Sequence, residues 1–99
     1  MISKRYFKTK DEVDVTFKTS TVGPVEGVSL LCDFNGWNPI PMRAITKRTW
    51  KKTVRLPIDG EFQFRYLLTE GTWFNDDAAD GYRPNEHGTD NCIVRTTRG

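Results

Sequence analysis

Short segments in which apolar and polar residues alternate recur along the chain, separated by clusters of Gly, Pro, Asn and Asp. Val13, Val15 and Phe17 alternate with polar residues, and this segment ends before Gly23-Pro24. Because the side chains of a strand point alternately to its two faces, the spacing places three apolar side chains on one face. Repeated segments of this kind, bounded by turn residues, predict antiparallel strands.

The clearest segment covers residues 61–68. Phe62, Phe64, Tyr66 and Leu68 share one face there, and we expect them to anchor the core. Further strands are predicted at 28–32, 42–45, 50–56, 72–74 and 91–96, with a polar loop over 75–88. About seven short strands in a chain of this length predict an all-β protein with an immunoglobulin-like sandwich.

The length of 99 residues fits one domain with a modest core. We expect residues 1–99 to form that domain, with flexible tails at 1–10 and 97–99. No apolar run approaches the roughly 18 residues that a membrane-spanning helix needs, and the first ten residues lack the apolar stretch of a signal peptide. The sequence therefore predicts a cytoplasmic protein with no membrane partner.

Charge changes this picture little. Fifteen Lys and Arg residues and thirteen Asp and Glu residues give a net charge of +2, and the two signs are interspersed along the chain. This distribution argues against a surface dedicated to polyanions, and we expect no nucleic-acid partner. The densest basic stretch, formed by Lys4, Arg5, Lys8 and Lys10, is more typical of a solvated tail.

The two cysteines stand far apart in sequence. Cys32 and Cys92 each lie in an apolar, strand-like segment without the CxxC partner of a strong metal motif. Free buried thiols are the favoured interpretation. A disulfide stays open as the less favoured one, because the two segments could approach each other across a sandwich.

Two of the three tryptophans lie beside turns. Trp37 follows an Asn-Gly pair and Trp73 follows a hairpin glycine, so the pattern does not bury either ring. An exposed pair of indoles suggests a binding platform, and two rings that plug the end of a sandwich are an equal alternative. Trp50 shares strand parity with Val54 and Leu56 and is predicted in the core.

Polar candidates lie near these rings. Arg65 is on the outward face of the strongest strand, where it is either an ordinary solvated residue or a planar fork of donors for hydroxyl groups. His87, Thr89 and Asn91 form a loop whose groups donate and accept hydrogen bonds. Such a loop suits a polyhydroxylated ligand and also suits a plain turn.

Catalysis and metal binding find little support in the sequence. His87 and Cys92 could act as a base and a nucleophile, but such a pair is commonplace and Cys92 lies in an apolar strand. Asp76, Asp77 and Asp80 lack the spacing of a calcium loop and are predicted to be solvated turn residues. We expect a protein that is not an enzyme and needs no metal or cofactor.

Four motifs occur in one order along the chain: LLCDFNGWN at 30–38, GEFQFRYLL at 60–68, GTW at 71–73 and GTDN at 88–91. They resemble the early-set domain of glycogen-branching enzymes and isoamylases and the glycogen-binding domain of the AMP-activated kinase β subunit, which is family 48 of the carbohydrate-binding modules. The likeness runs from about Val13 to Val94. It implies an early-set sandwich that binds α-1,4-linked glucan without catalysis.

The resemblance also implies roles for particular residues. In glycogen-binding members, the Trp of the FNxW turn and the Trp after the hairpin stack on glucose rings, and these positions are Trp37 and Trp73 here. A basic strand residue and a Thr and an Asn of the last loop contact sugar hydroxyls, and these correspond to Arg65, Thr89 and Asn91.

The sixth candidate is a departure from the family. His87 stands where the kinase-type domain has a leucine that enters the curve of the glucan, so that hydrophobic wedge is absent. Many early-set domains bind no sugar and only pack on a catalytic barrel. A protein-interaction domain that docks on a glucan-metabolising enzyme or another partner is therefore the alternative, and single-stranded nucleic-acid binding by the same aromatic and basic surface ranks third.

Overall fold

The computed structural model describes residues 1–97, so 98 and 99 of the predicted C-terminal tail lie outside the described residues. Within this range the only helical element is a 3-10 turn at Asp33–Asn35, and no helix is long and apolar enough to cross a bilayer. Ten strands cover much of the described chain: β1 (Ile2–Tyr6), β2 (Glu12–Ser20), β3 (Val28–Cys32), β4 (Ile40–Pro41), β5 (Arg43–Ala44), β6 (Thr49–Pro57), β7 (Glu61–Leu68), β8 (Trp73–Phe74), β9 (Gly81–Pro84) and β10 (Asp90–Arg95).

The strands form two antiparallel sheets. Sheet A has the order β1-β2-β6-β5, and sheet B has the order β4-β3-β7-β10-β9 with β8 also paired to β7. β7 is therefore the central strand of sheet B, with β3 on one side and β10 and β8 on the other. The two sheets pack as an immunoglobulin-like β-sandwich, which confirms the predicted fold class.

The core lies between the inner faces of the two sheets. The three apolar residues predicted on one face of β2 are fully buried. The rings of Phe17 on β2 and Phe64 on β7 meet edge to face with their centroids 4.8 Å apart, and Tyr66 continues this stack. Phe62 and Leu68 are half-buried against the same cluster. The alternation along β7 thus places its four large side chains as the sequence predicted.

The prediction of a flexible tail at residues 1–10 is wrong for residues 2–6, which form β1 and pair with β2. Ile2 and Tyr6 face inward and pack against the core. Lys4 lies between them on the same face, and its ammonium reaches the Asp80 carboxylate at 2.6 Å. The alternation of inner and outer residues along β1 is hard to recognise in the sequence because Lys4 is one of the inner residues. A lysine can pack the methylenes of its side chain on the apolar face while its ammonium group reaches the edge of the sheet.

Two predictions about the interior have clear outcomes. Trp50 is buried, as expected. Cys32 and Cys92 are free, buried thiols, and both lie opposite Phe64, one on each side of β7. Two strand spacings separate them by roughly 9–10 Å, which exceeds the roughly 7 Å limit for a disulfide. The open alternative of a bridge across the sandwich fails because both cysteines belong to the same sheet.

The predicted loop over 75–88 contains β9 at the edge of sheet B, and its Asp76 is buried instead of solvated. The Asp76 carboxylate accepts hydrogen bonds from the Tyr66 hydroxyl (2.8 Å), the Ala78 amide (2.8 Å) and the Met1 amino group (2.6 Å). The Tyr82 hydroxyl donates to its carbonyl oxygen (2.6 Å). Burial, followed by the Asp76 charge, raises the pKa of the Tyr66 phenol. These hydrogen bonds hold the segment after β8 against the core.

Candidate binding site

A groove of about 710 Å³ lies on the outer face of sheet B. Three separate parts of the chain form it: the turn after β3, the β7–β8 pair, and the loop between β9 and β10. The lining consists of Trp37, Arg65, Trp73, Asn85, Glu86, His87, Thr89 and Asn91. The fold therefore brings all six residues singled out in the sequence to one surface, and it adds Asn85 and Glu86. Their roles toward a ligand stay predictions.

The turn after β3 holds Trp37 in an unusual backbone conformation. Trp37 has a backbone φ of +65°, in the left-handed region that residues other than glycine rarely adopt. Holding a tryptophan in this conformation costs about 1–3 kcal/mol. Its amide donates to the Cys32 carbonyl (3.0 Å), and Gly36 before it is also left-handed. The side-chain amides of Asn35 and Asn38 each donate to the other residue's carbonyl (3.2 and 2.9 Å). The turn thereby fixes a half-buried indole at the groove.

Trp73 and Arg65 form the middle of the groove. Trp73 lies on β8 opposite Leu67, and it is 45% exposed. The Arg65 guanidinium carbon lies 5.4 Å from the centre of the Trp73 ring, which is within cation–π range. Arg65 Nε donates to Asn75 Oδ1 (2.8 Å), and Nη1 makes a longer bond of 3.4 Å to Thr89. Arg65 is thus held beside the ring while Nη2 has no partner among residues 1–97.

Asn85, which the sequence analysis missed, holds together the third part of the groove, the loop between β9 and β10. Its Oδ1 accepts from the amides of His87 (2.9 Å) and Thr89 (3.2 Å), and its Nδ2 donates to Thr89 Oγ1 (2.8 Å) and Asn91 Oδ1 (3.1 Å). Asn91 Nδ2 in turn donates to Gln63 Oε1 (2.9 Å). An Asn followed by a glycine three residues later is a turn signal that could have found it. Because Thr89 and Asn91 are engaged in this network, they retain only part of their hydrogen-bonding capacity for a ligand.

The loop tip carries two mostly exposed side chains, Glu86 and His87. Their closest approach is 3.7 Å between His87 Nε2 and Glu86 Oε1. Glu86 adds a carboxylate acceptor to a groove in which Arg65 supplies donors. Two flat apolar rings accompanied by donors and acceptors form a surface that is chemically complementary to a ring bearing many hydroxyl groups.

The catalytic pair considered from the sequence has unsuitable surroundings. Cys92 is fully buried on the inner face of sheet B, and burial is the largest of the effects that raise its pKa to about 11. At neutral pH it is therefore a protonated thiol, whereas a nucleophile needs a thiolate. His87 lies in the groove on the opposite face of the sheet. Over residues 1–97, no group of three or more His, Cys, Asp or Glu side chains is arranged to hold a metal ion.

Comparisons with known proteins show the fold and nothing finer. No family model matches the chain, and no curated protein does either. Among solved structures, the chain is similar to the ferric enterobactin esterase of Salmonella typhimurium, with a TM-score of 0.58 and 16% sequence identity over 89% of this chain. The chain spans 24% of the length of that esterase. At this identity the likeness supports the sandwich fold alone.

Proposed function

We propose that this chain is a non-catalytic module that binds α-1,4-linked glucan, such as glycogen, starch or malto-oligosaccharides, and that it is an early-set domain of the family 48 type. One observation carries the proposal. Two indoles and a guanidinium, drawn from the turn after β3 and from the β7–β8 pair, line one groove outside the sandwich. The motifs that resemble the family contribute each of these three side chains.

Stacking is the proposed source of most of the affinity. A pyranose ring presents a face of C–H groups, and this face matches the flat, electron-rich surface of an indole. Trp73 is exposed enough to offer such a surface, and the turn at Trp37 keeps its ring at the groove at a cost in backbone strain. Strain that persists at a surface ring is typical of binding sites.

Hydrogen bonds supply orientation in this proposal. Arg65 Nη2 donates to sugar oxygens, and the Glu86 carboxylate accepts from sugar hydroxyls. Thr89 and Asn91 act chiefly as the fixed wall that the Asn85 network positions. Each hydrogen bond that replaces one to water contributes only about 0.5–1.5 kcal/mol, so a single open groove binds weakly. A polysaccharide with many copies of the same unit compensates through avidity.

His87 refines the expected ligand. In the absence of the apolar wedge of the kinase-type domain, the groove gains little from a ligand that is curved in advance. We expect β-cyclodextrin to bind no more tightly than linear maltoheptaose. Restoring the wedge with His87→Leu should shift the preference toward the cyclic sugar, and calorimetric titration of both variants with both sugars measures it.

Calorimetry and affinity electrophoresis with maltoheptaose and glycogen test the main proposal. Trp37→Ala and Trp73→Ala should each lower the affinity by about tenfold or more, which corresponds to about 1.4 kcal/mol. Phe34→Ala is the matched control, because Phe34 is an aromatic residue that is 48% exposed and does not line the groove. A wild-type protein that is neither retarded by glycogen nor titrated by maltoheptaose would sink the proposal.

Docking on a protein partner is a second candidate, favoured by the internal bonding of Thr89 and Asn91. Polar groups that are already satisfied suit a surface that covers another protein more than one that must bind many hydroxyls. The partner in this case is a glucan-metabolising enzyme or another protein, bound with little or no sugar affinity. Binding of a co-purified partner that survives excess maltoheptaose and is lost in Trp73→Ala would favour this candidate.

A further inference from the structure

One end of the outer face of sheet A carries a row of like charges. Lys18 on β2 lies directly opposite Lys51 on β6, and Lys51 lies directly opposite Arg43 on β5. All three side chains are exposed, and none forms an ion pair with any described residue from 1 to 97. Neighbouring strands are only about 4.7–4.9 Å apart, and like charges placed opposite each other destabilise a sheet. An anion that bridges the row would relieve this repulsion.

Two more basic residues extend the row. Lys47 and Arg48 occupy the turn between β5 and β6, and the Thr21 amide ties this turn to the end of β2 by donating to the Arg48 carbonyl (2.7 Å). Asp14, on the same outer face, is already paired with Arg55 at 3.0 Å. We call the following five residues the cationic face: Lys18, Arg43, Lys47, Arg48 and Lys51. Apart from these five, ten basic residues of the chain stand against thirteen acidic ones.

Hydroxyl groups flank the row on both sides. Thr16 and Thr53 are hydrogen-bonded to each other at 2.8 Å on one side, and Ser20 and Thr49 approach to 3.5 Å on the other. Cationic side chains together with Ser and Thr hydroxyls are the groups that proteins direct at phosphate oxygens. Trp50 on the same strand is buried, so its ring is not available for stacking on a base. The chemistry of this surface therefore suits phosphate groups, and the Trp50 ring adds no stacking surface for a nucleobase.

We propose that the cationic face binds a linear chain of phosphate groups without bases, namely inorganic polyphosphate, lying across the strands of sheet A. The bound chain brings a negative charge to each of the opposed cations, and affinity comes from the release of counterions. Charges interspersed along the sequence predicted no polyanion surface, whereas the pairing of β2 with β6 places Lys18 beside the other four residues of this face, which lie on the β5–β6 hairpin. This proposal is independent of the glucan proposal, since the groove is on the outer face of the other sheet.

Calorimetric titration with medium-chain inorganic polyphosphate, at several salt concentrations, tests the proposal. The double variant Lys18→Gln/Lys51→Gln should lower the affinity at least about tenfold and reduce the slope of log affinity against log salt by about one to two. The matched control, Lys8→Gln/Lys10→Gln, removes the same charge from the turn between β1 and β2 at the other end of sheet A. It should change the affinity by less than about twofold.

Several results would overturn the proposal. An equal loss in both double variants would mean that only net charge matters, and no binding by the wild type would remove the site outright. Polyglutamate or mixed-sequence single-stranded DNA of the same charge, if either bound as tightly as polyphosphate, would assign the surface to another partner. Affinity for maltoheptaose should be the same in both double variants, which separates failure of this proposal from failure of the glucan proposal.

Discussion

The two outer faces of the sandwich are constructed in different ways. The groove on sheet B depends on local turns: a strained residue at Trp37, a short hairpin at Trp73 and a loop that Asn85 fastens with side-chain hydrogen bonds. The cationic face on sheet A depends on the register of three strands and on the turn between β5 and β6, and within residues 1–97 no side-chain network holds its row. Local motifs can therefore reveal the first face in a sequence, whereas the second is completed only when Lys18 on β2 is paired with Lys51 on β6.

The difference also separates their energetics. Stacking on indole rings is an apolar interaction that salt hardly screens, whereas binding by exposed lysines weakens as salt is added. The two faces should therefore respond differently to the same perturbation. The changes below either abolish binding at both faces or affect one face alone.

The largest effect should come from the residue beneath both faces. Phe64→Ala removes a fully buried ring that contacts Phe17 across the sandwich. We expect a loss of about 3–5 kcal/mol in the free energy of unfolding. When urea is added, binding of both ligands should be lost at the same urea concentration, because both faces depend on the same core. Urea unfolding followed by tryptophan fluorescence measures this, and Phe34→Ala is the exposed control. A loss below about 1 kcal/mol would contradict the packing described for the core.

High pH should lower the free energy of unfolding through the two buried thiols and thereby affect both faces together. Burial is the largest cause that raises the pKa of Cys32 and Cys92 from 9.0 to about 11. The unfolded chain then loses these protons first, so the stability they contribute is complete below pH 9 and is lost as the pH rises toward 11. The loss should reach about 3 kcal/mol per thiol at most.

Urea unfolding at about pH 8, 9 and 10 measures the decline. The double variant Cys32→Ala/Cys92→Ala should have a lower stability at pH 8 and a flatter decline above pH 9. A wild-type protein whose stability rises between pH 9 and pH 10 would contradict the attribution of the decline to the two thiols. An equally steep decline in the double variant would contradict it as well.

Asn85→Ala should separate the two faces. The change removes the groups that position Thr89 and Asn91, so we expect a loss of about 1–2 kcal/mol in stability and a several-fold weaker affinity for maltoheptaose. Asn85→Asp keeps the acceptor oxygen and should recover part of both. Polyphosphate affinity should stay unchanged, and calorimetry with both ligands tests the separation. Equal weakening of both ligands would mean that the loop supports the whole fold and not the groove.

The smallest effect should be a gain in stability. Lys51→Thr places a good strand former in the middle of the cationic row and removes the repulsion with Lys18 and Arg43. We expect stabilisation by about 0.2–1 kcal/mol at low salt, which shrinks at about 1 M salt because the charges are then screened. Thermal unfolding at both salt concentrations measures this gain. Destabilisation at low salt would contradict the claim that the like charges of the row repel one another.

The fold was predictable where apolar alternation is strong. Along β7 the alternation specifies both the strand and its inner face, because burial of large rings determines the register. β1 was missed because Lys4 interrupts its inner face, and β9 because an edge strand of mostly exposed residues that ends in Pro84 has no apolar pattern. The inner position of Asp76 was also hidden, since its partners Tyr66 and Met1 reach it only in the folded chain.

The two proposed binding surfaces were predictable to different degrees. The resemblance identified six of the eight residues that line the groove, because most of them lie within or beside short, ordered motifs. Asn85 was missed because it lies outside the four motifs, and the turn signal that it forms with Gly88 predicts a turn and not a residue of the groove. The cationic face was missed because Lys18 becomes a neighbour of Lys51 only when β2 pairs with β6, and these strands are distant in sequence. Arg43 and Lys51 lie on consecutive strands, but the sequence does not show that their side chains share a face.

Titration of the isotopically labelled protein with maltoheptaose, followed by the three tryptophan indole N–H signals in NMR spectra, tests the central claim most directly. We expect the Trp37 and Trp73 signals to move in a saturable manner, together with amides near Asn91, while the buried Trp50 signal stays in place as an internal reference. Unmoved Trp37 and Trp73 signals at saturating sugar concentrations, or an equal shift of all three, would contradict glucan binding in this groove.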